Sequence, residues 1–290
     1  MRASWPACKI HRVHPEGDLT VLRVLVAESR TLTVLDRRFP LKLALGRIIG
    51  KLPRSGGSVV AVSAVPRKAK DMQQVVFDDG FGLLSHNLSW DSQRIGHAIA
   101  TAYDSDGLAG MDRLDKNPVA SGDTIVNDSK HKSVVVEELA GKLGETGMQR
   151  TRRGKIAGVV DELLMNALYH ASKGHEDEKS GKSLAKLQWQ LEEKRGFRAT
   201  VTDEFGTYSR EEAHRKLVSF LANEMVEITR TQGRGGGVGL YLVFKVSDDY
   251  HLYVNPGKKT EISVRVETAG KTDPSQREVL VYFAPFAPKT

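Results

Sequence analysis

Residues 161–171 read DELLMNALYHA, in which polar residues interrupt an otherwise apolar helical pattern. Glu162 and Asn166 are four residues apart, so a helix places them on one face, one turn from each other, and His170 continues that face. A carboxylate and a carboxamide stacked in this way can hold a water or hydroxyl group and a hydrated Mg²⁺. Taken alone, the pattern is also typical of the solvated face of an amphipathic helix.

An acidic residue at the end of a predicted strand supplies the second motif. Residues 201–206 read VTDEFG, which puts Asp203 at the strand end and Gly206 three residues later. A carboxylate in this position can accept a hydrogen bond from an exocyclic amine, and a glycine lets a ligand approach the backbone. An ordinary turn after a strand is the alternative explanation.

A glycine-rich segment leading into a predicted helix is the third motif. Residues 233–240 read GRGGGVGL and include Gly235, Gly237 and Gly239. The backbone N–H groups of such a loop, together with the dipole of the following helix, suit phosphate oxygens. The segment lacks the Gly-Lys-Ser/Thr ending of a P-loop, and no predicted strand leads into it as in a dinucleotide-binding fold. A flexible linker is the alternative.

The pattern of apolar residues predicts helices and hairpins around these motifs. Ser209 and Glu212 form a predicted capping box at the start of one helix. The predicted helices are Val134–Leu143, Arg153–Ser172, 209–225 and Leu240–Val246; the predicted hairpins are 187–201 and 251–266, and a late strand is Val279–Phe283.

In order and spacing, the three motifs resemble the Bergerat-type ATP-binding fold of the GHKL superfamily, the histidine-kinase-like ATPases, over about residues 130–268. Within that superfamily, Asn166-Ala167-Leu168-Tyr169-His170-Ala171 is similar to the Asn-Ala-x-x-His-Ala signature of anti-sigma-factor serine/threonine kinases. The resemblance implies ATP and Mg²⁺ as cofactors, with Glu162 as the general base and Asn166 as the Mg²⁺ ligand. The ATP-binding residues that it implies are Asn166, His170, Asp203, Gly206, Gly235, Gly237 and Gly239, with Asp203 on the adenine amine.

The second motif departs from the Asp-x-Gly-x-Gly pattern of the superfamily. Gly206 follows Asp203 by three residues, and Thr207 stands next to it. No helical pair with a phosphoacceptor histidine is predicted before the ATP domain, and 24 residues follow Val266. We therefore expect neither a histidine kinase nor a gyrase-, Hsp90- or MutL-like protein with a transducer domain.

The first third of the chain, residues 15–105, predicts a small α/β domain. Thr20–Ala27 and Val59–Val65 are short apolar strands, Leu32–Leu52 is compatible with helix, and Ser89–Tyr103 has helical spacing.

This order of elements resembles a response-regulator receiver domain, although the residues of receiver chemistry are missing. Receivers carry an acidic pair after the first strand, where this chain has the single acid Glu28, and a phosphoacceptor Asp, where it has Ser63-Ala64-Val65. The resemblance implies a pseudo-receiver that takes no phosphoryl group on Asp, and an unrelated α/β adapter domain is the alternative.

Composition sets the broad class. The chain has 290 residues, of which 40 % are hydrophobic and 27 % charged, as in a soluble globular protein of about two domains. Its single cysteine, Cys8, excludes an internal disulfide and a Cys-based zinc cluster and suits a reducing cytoplasm. No apolar run approaches the length of a membrane span.

The net charge of +7 divides into +4 for residues 1–150 and +3 for residues 151–290, so no basic stripe or tail favours a nucleic-acid partner. A DNA-associated regulator is therefore only a minor alternative. The segment 106–130 is rich in Asp, Gly, Ser and Asn and is the predicted linker.

The expected fold class is α/β in two domains. A small receiver-like domain (15–105) precedes the linker and a Bergerat-type α/β sandwich that binds ATP (131–290). We expect a bacterial cytoplasmic regulatory protein that binds Mg-ATP, with a protein partner in a signalling or sigma-factor pathway and a homodimer left open. One hypothesis is phosphorylation of Ser/Thr on an anti-sigma-antagonist-like partner. The other is a non-catalytic interaction scaffold.

Overall fold

A computed structural model of the chain describes residues 9–13, 21–26, 30–36, 58–63, 81–85, 118–170, 184–192, 196–222, 238–267 and 278–283. Before residue 118 the description covers the backbone of the strands alone.

Eleven strands of the described segments form one mixed sheet in the order β1-β2-β3-β4-β5-β11-β9-β10-β8-β7-β6. The first five strands are β1 Lys9–Val13, β2 Val21–Val26, β3 Arg30–Asp36, β4 Ser58–Ser63 and β5 Phe81–Ser85. The remaining six are β6 Ala120–Val126, β7 Ala185–Glu192, β8 Gly196–Asp203, β9 Asp249–Asn255, β10 Lys259–Val266 and β11 Glu278–Phe283.

Four α-helices are described, and all of them lie after residue 128. They are α1 Ser129–Glu145, α2 Arg150–Met165, α3 Arg210–Ala222 and α4 Val238–Val246; α2 continues as a π-helical turn, Asn166–His170. The predicted capping of α3 by Ser209 is confirmed, because the Glu212 backbone N–H donates to the Ser209 Oγ at 3.1 Å. Among the described helices, none has the length and apolar character needed to cross a membrane.

The two predicted hairpins are confirmed and lie side by side. β7 pairs with β8 and β9 with β10, and β8 pairs with β10 so that Asp203 lies level with Ala185 on one side and with Thr260 on the other. β11 confirms the late strand and runs parallel to β9. The second half of the chain is therefore a mixed sheet with helices, the α/β class expected from the sequence.

One face of this half of the sheet carries the core. Side chains alternate along a strand, so Val201, its pairing partners Leu187 and Ile262, and every second residue from these point to the same side. The helices cover that side. The buried apolar residues of that face are Ala185, Leu187, Trp189, Leu191, Phe197, Ala199, Val201, Tyr250, Leu252, Val254, Ile262, Val264, Val266, Val279, Val281 and Phe283.

Aromatic rings connect the helices to that face. Phe220 of α3 lies 5.9 Å from Tyr241 and 5.2 Å from Phe244 of α4, measured between ring centroids. Phe244 in turn makes an edge contact with Tyr250 of β9 at 5.5 Å. Offset and edge contacts of this kind add to the gain from burial, so they fix α3 and α4 against the sheet.

The opposite face carries buried charge. Arg265 of β10 donates two hydrogen bonds to Asp249 of β9, at 2.6 Å from Nε and 3.0 Å from Nη2. Arg198 lies 3.8 Å from the same carboxylate, and Glu267 accepts from Arg265 at 3.0 Å. Burial alone would raise the pKa of Asp249, but the hydrogen bonds and charge of Arg265, with Arg198 and His251, lower it to about 2.

The first half of the chain agrees with the predictions in part. β2 and β4 confirm the two predicted apolar strands, whereas β3 shows that residues 32–36 of the stretch taken as helix are strand. β1, β2 and β3 pair antiparallel, and β3, β4 and β5 pair parallel. The predicted helix at 89–103 lies outside the described residues, and the receiver resemblance stays a prediction.

The predicted linker needs a correction. β6 occupies residues 120–126 of the stretch 106–130, pairs along its whole length with β7, and is followed by α1 from Ser129. Polar and small residues were taken as a sign of a connection, but pairing with β7 and burial of Val126 stabilise a strand there. β5 pairs with β11 across the proposed domain boundary, so strands from both sides of it lie in one sheet. The division of the chain into two domains stays a prediction.

The buried pair Asp249–Arg265 predicts a specific acid sensitivity. Because the folded-state pKa of Asp249 lies below its usual 3.8, the ionised group stabilises the protein above about pH 4, and this contribution, about 2 kcal/mol, is lost as the pH falls towards 2. Asp249→Asn should be less stable at pH 7, yet its unfolding free energy should change less between pH 5 and 2.5. Denaturant unfolding at a series of pH values measures this.

Asp123→Asn is the matched control, because Asp123 forms an ion pair with Lys186 at 3.2 Å in which both side chains are about half exposed. Exposed pairs contribute little to stability, so this variant should keep the profile of the unmodified protein. Parallel profiles for Asp249→Asn and the unmodified protein would contradict the assignment.

Candidate functional site

Helix α2 and the turn that follows it carry the first motif. Glu162 lies in the last turn of α2, and Asn166 begins the π-helical turn. The Asn166 Nδ2 donates to the Glu162 backbone carbonyl oxygen at 2.6 Å, so the carboxamide is held against its own helix. Single π turns within helices are rare and are found disproportionately at functional sites.

Helix α1 holds α2 from the side through a buried cation. Lys132 is 6 % exposed, and its Nζ forms a hydrogen-bonded ion pair with Asp161, the neighbour of Glu162. The sequence analysis did not single out Lys132. A signal was present, because Lys132 lies at helical spacing from Val135, Leu139 and Leu143, which are buried in the same helix.

The first turn of α4 approaches α2 so closely that a glycine is needed. A Cβ atom built on Gly239 would overlap the Glu162 Oε2 and would lie 2.5 Å from the Glu162 Cδ. The Glu162 carboxylate therefore fills the space that a side chain at position 239 would take. Among the described residues, none forms a hydrogen bond or ion pair with that carboxylate.

Asp203 ends β8 on the face that the helices cover. It is 5 % exposed, and its Oδ1 accepts from the backbone N–H of Phe205 at 3.0 Å and of Gly206 at 3.3 Å. Burial raises the pKa of the Asp203 carboxyl, against the effect of the hydrogen bonds from Phe205, Gly206 and Thr260, which lower it. The carboxylate is thus fixed by the turn after its own strand and by β10.

Gly206 fits the protein backbone closely. It has φ +60°, and a Cβ atom there would lie 2.7 Å from the Lys258 N and 2.8 Å from the Lys259 N and would overlap the Asn255 carbonyl oxygen. The Gly257 N–H donates to the Gly206 carbonyl oxygen at 3.1 Å. The turn after β8 is therefore locked onto the turn of the β9–β10 hairpin, and this contact by itself explains the glycine.

The structure brings some of the predicted residues together. Glu162, Asn166 and Gly239 form one group, and α2 with its π turn packs against β8, the strand that Asp203 ends. Gly235 and Gly237 lie outside the described residues, and of His170 only the backbone is described. Thr260 lies level with Asp203 on β10 and is a neighbour that the sequence analysis missed. The register of the sheet alone brings these two residues together, so no local signal in the sequence could have identified Thr260.

Comparison with protein families gives one match. Residues 126–266 match the model of the histidine kinase-like ATPase domain. The matched range starts at the last residue of β6, ends at the last residue of β10, and contains all the candidate site residues. It supports the GHKL resemblance, and with it ATP binding, for this part of the chain. A comparison with curated proteins gives no match.

The Gly206 contact predicts a loss of stability on substitution. Gly206→Ala should destabilise the protein by clearly more than the ~1–2 kcal/mol expected for a side chain in the left-handed region, because the hairpin backbone must also move. Gly147→Ala is the matched control, since Gly147 has φ +79° and nothing within 4 Å of the added Cβ. Denaturant unfolding of both variants tests this, and equal losses would contradict the close packing.

Proposed function

We propose that residues 126–266 bind Mg-ATP in the region bounded by α2, the first turn of α4 and the end of β8. The observation that carries the proposal is the contact between the Glu162 carboxylate and Gly239. It joins the motif predicted to bind Mg²⁺ with the helix that follows the glycine-rich segment, where backbone N–H groups and the helix dipole favour phosphate. The family match over the same residues supports the same conclusion.

The residue chemistry fits the two cofactors. Asn166 offers a carboxamide oxygen and Glu162 a carboxylate, the oxygen donors that Mg²⁺ takes in proteins. Bound Mg²⁺ would neutralise charge on the phosphate oxygens. Asp203 would accept the hydrogen bond of the adenine amine, and Gly235, Gly237 and Gly239 would surround the phosphates. His170 belongs to the same proposed ATP site because it is the histidine of the signature that begins at Asn166.

The proposed activity is phosphoryl transfer to a serine or threonine of a protein partner of the anti-sigma-antagonist type, in a bacterial cytoplasmic regulatory pathway. Glu162 accepts the proton of the partner's hydroxyl group as that oxygen forms a bond to the γ-phosphorus. The bond from the γ-phosphorus to the bridging oxygen breaks, and ADP leaves. A carboxylate without a hydrogen-bond partner among the described residues is suited to this role.

A second candidate function is a non-catalytic scaffold for protein interaction, with a pseudo-receiver in the first third of the chain. The region around Asp203 favours it. The Asp203 Oδ1 accepts hydrogen bonds from two backbone N–H groups. Gly206, which follows Asp203 one residue later than in the usual motif, packs against the β9–β10 turn. Such a site would bind nucleotide weakly or would have lost it.

Calorimetric titration of the full chain with ATP in the presence of Mg²⁺ tests the proposal. We expect binding that weakens when Mg²⁺ is removed. Asn166→Ala should lower the affinity for Mg-ATP about tenfold, since a metal ligand is lost. Glu162→Gln should keep the affinity and lower phosphoryl transfer or ATP hydrolysis by ~10²–10⁴-fold, the usual effect of losing a general base.

The same variants separate the two candidate functions. ATP binding without measurable turnover in the unmodified protein would favour the scaffold. A folded protein that binds no nucleotide, with an unchanged thermal transition on adding Mg-ATP, would overturn the assignment of residues 126–266 as an ATP site.

Substitution of Gly239 is predicted to lower activity with little loss of stability. Gly239→Ala should move the Glu162 carboxylate, which is the flexible end of a long side chain, while the helix itself tolerates alanine. We expect turnover to fall at least tenfold. Gly158→Ala is the matched control, because Gly158 is exposed on α2 with nothing within 4 Å of the added Cβ. Turnover assays and thermal unfolding of both variants decide the point; equal turnover would contradict the role of the contact.

A further inference from the structure

Among the strands that the structure describes, none pairs with the outer edge of β6. It is the last strand in the sheet order and pairs on one side with β7. Residues on the face away from the helices are exposed along it: Ile125 is 57 % exposed, Val119 just before the strand is 52 % exposed, and Ser121 and Asp123 between them are exposed as well. An open strand edge presents unpaired backbone N–H and C=O groups and is a template for another strand.

The usual protection of an edge strand is weak here. A charged side chain that projects from an edge blocks the approach of a second strand. Asp123 is the one charged residue of β6, and it is turned back onto its own sheet, 3.2 Å from the Lys186 Nζ and 3.1 Å from the Gln188 Nε2. Its charge is therefore partly neutralised within the same chain.

The order of residues along β6 is complementary to itself. If two copies pair antiparallel with Gly122 opposite Gly122, Val119 of each copy lies opposite Ile125 of the other, and Ser121 lies opposite Asp123. Two exposed apolar residues are thereby paired twice, and a hydroxyl donor meets a carboxylate twice. Shifting the register by one residue would turn the apolar pairs to opposite faces.

The centre of this arrangement also suits a close approach. Gly122 has no side chain, and the space on its helix-covered face is already filled, since a Cβ atom there would lie 2.8 Å from the Trp189 Cε2. Trp189 is itself buried and stacks on Phe197 with centroids 6.0 Å apart. The centre of the strand is therefore fixed by packing within the chain.

From these observations we propose that β6 is a homodimer interface, in which two copies of this chain pair antiparallel about Gly122 and join their sheets. The pairing does not involve the candidate ATP site. Because the strand is short and its apolar contacts are few, the dimer depends on concentration.

Sedimentation velocity or light scattering of the full chain over a range of concentrations tests this without nucleotide. The unmodified protein should shift from monomer to dimer. Val119→Lys and Ile125→Glu should each raise the dimer dissociation constant at least tenfold, because a charge then faces an apolar side chain at both ends of the interface. Circular dichroism and thermal unfolding establish that the variants are folded.

Mixing the two variants gives the sharpest result. In a mixed dimer, the introduced lysine faces the introduced glutamate at one end, and Ile125 faces Val119 at the other, so an equal mixture should dimerise more strongly than either variant alone. Leu242→Lys is the control, because Leu242 is similarly exposed, at 50 %, but lies on α4. A protein that stays monomeric, a mixture with no recovery, or a dimer lost with Leu242→Lys alone would each overturn the proposal.

Discussion

The second half of this chain is organised around helix α2, which packs against β8 on the sheet and closely against α4. Its apolar residues are buried in the core, while the Glu162 carboxylate fills the space that a side chain at position 239 would take. A larger residue at position 239 would push either α4 or the carboxylate away. The same close approach therefore fixes the position of α4 and brings Glu162 next to the start of that helix. The packing of Gly239 against Glu162 is thus also the central contact of the candidate site.

The two faces of the sheet differ in the kind of residue that they bury. The helix-covered face is apolar along most of β7–β10 and becomes polar at one end, where Asp203 and Thr260 lie level with each other. The other face carries the buried pair Asp249–Arg265 at the opposite end of the strands. Buried charge is tolerated there because the two groups are joined by two hydrogen bonds, whereas Asp203 relies on N–H groups of a turn. Rigid strands thus separate the stabilising ion pair Asp249–Arg265 from the Asp203 carboxylate, which is held by a turn.

The spacing of apolar residues was sufficient to predict a helix or strand wherever that element buries one face. The hairpins β7–β8 and β9–β10, helix α4 and the capped start of α3 follow from apolar spacing and from Ser209, because these signals act within a few residues. Composition misled at β6, since Ser121, Gly122 and Asp123 suggest a connection; an edge strand needs only one partner and exposes half of its side chains. The start of the stretch Leu32–Leu52 was misjudged for a similar reason: β3 owes its conformation to pairing with β2 and β4.

Local sequence was enough to predict the residue types of the candidate site, and also the helix and the strand that carry Glu162, Asn166 and Asp203. Which of them meet was a matter of packing between segments far apart in the chain. The contact of Glu162 with Gly239, the ion pair of Lys132 with Asp161, and the seat of Gly206 on the β9–β10 turn all join distant residues. Such contacts depend on strand register and on the spacing between helices, and these are set by how the whole core packs, so no motif of a few residues contains them.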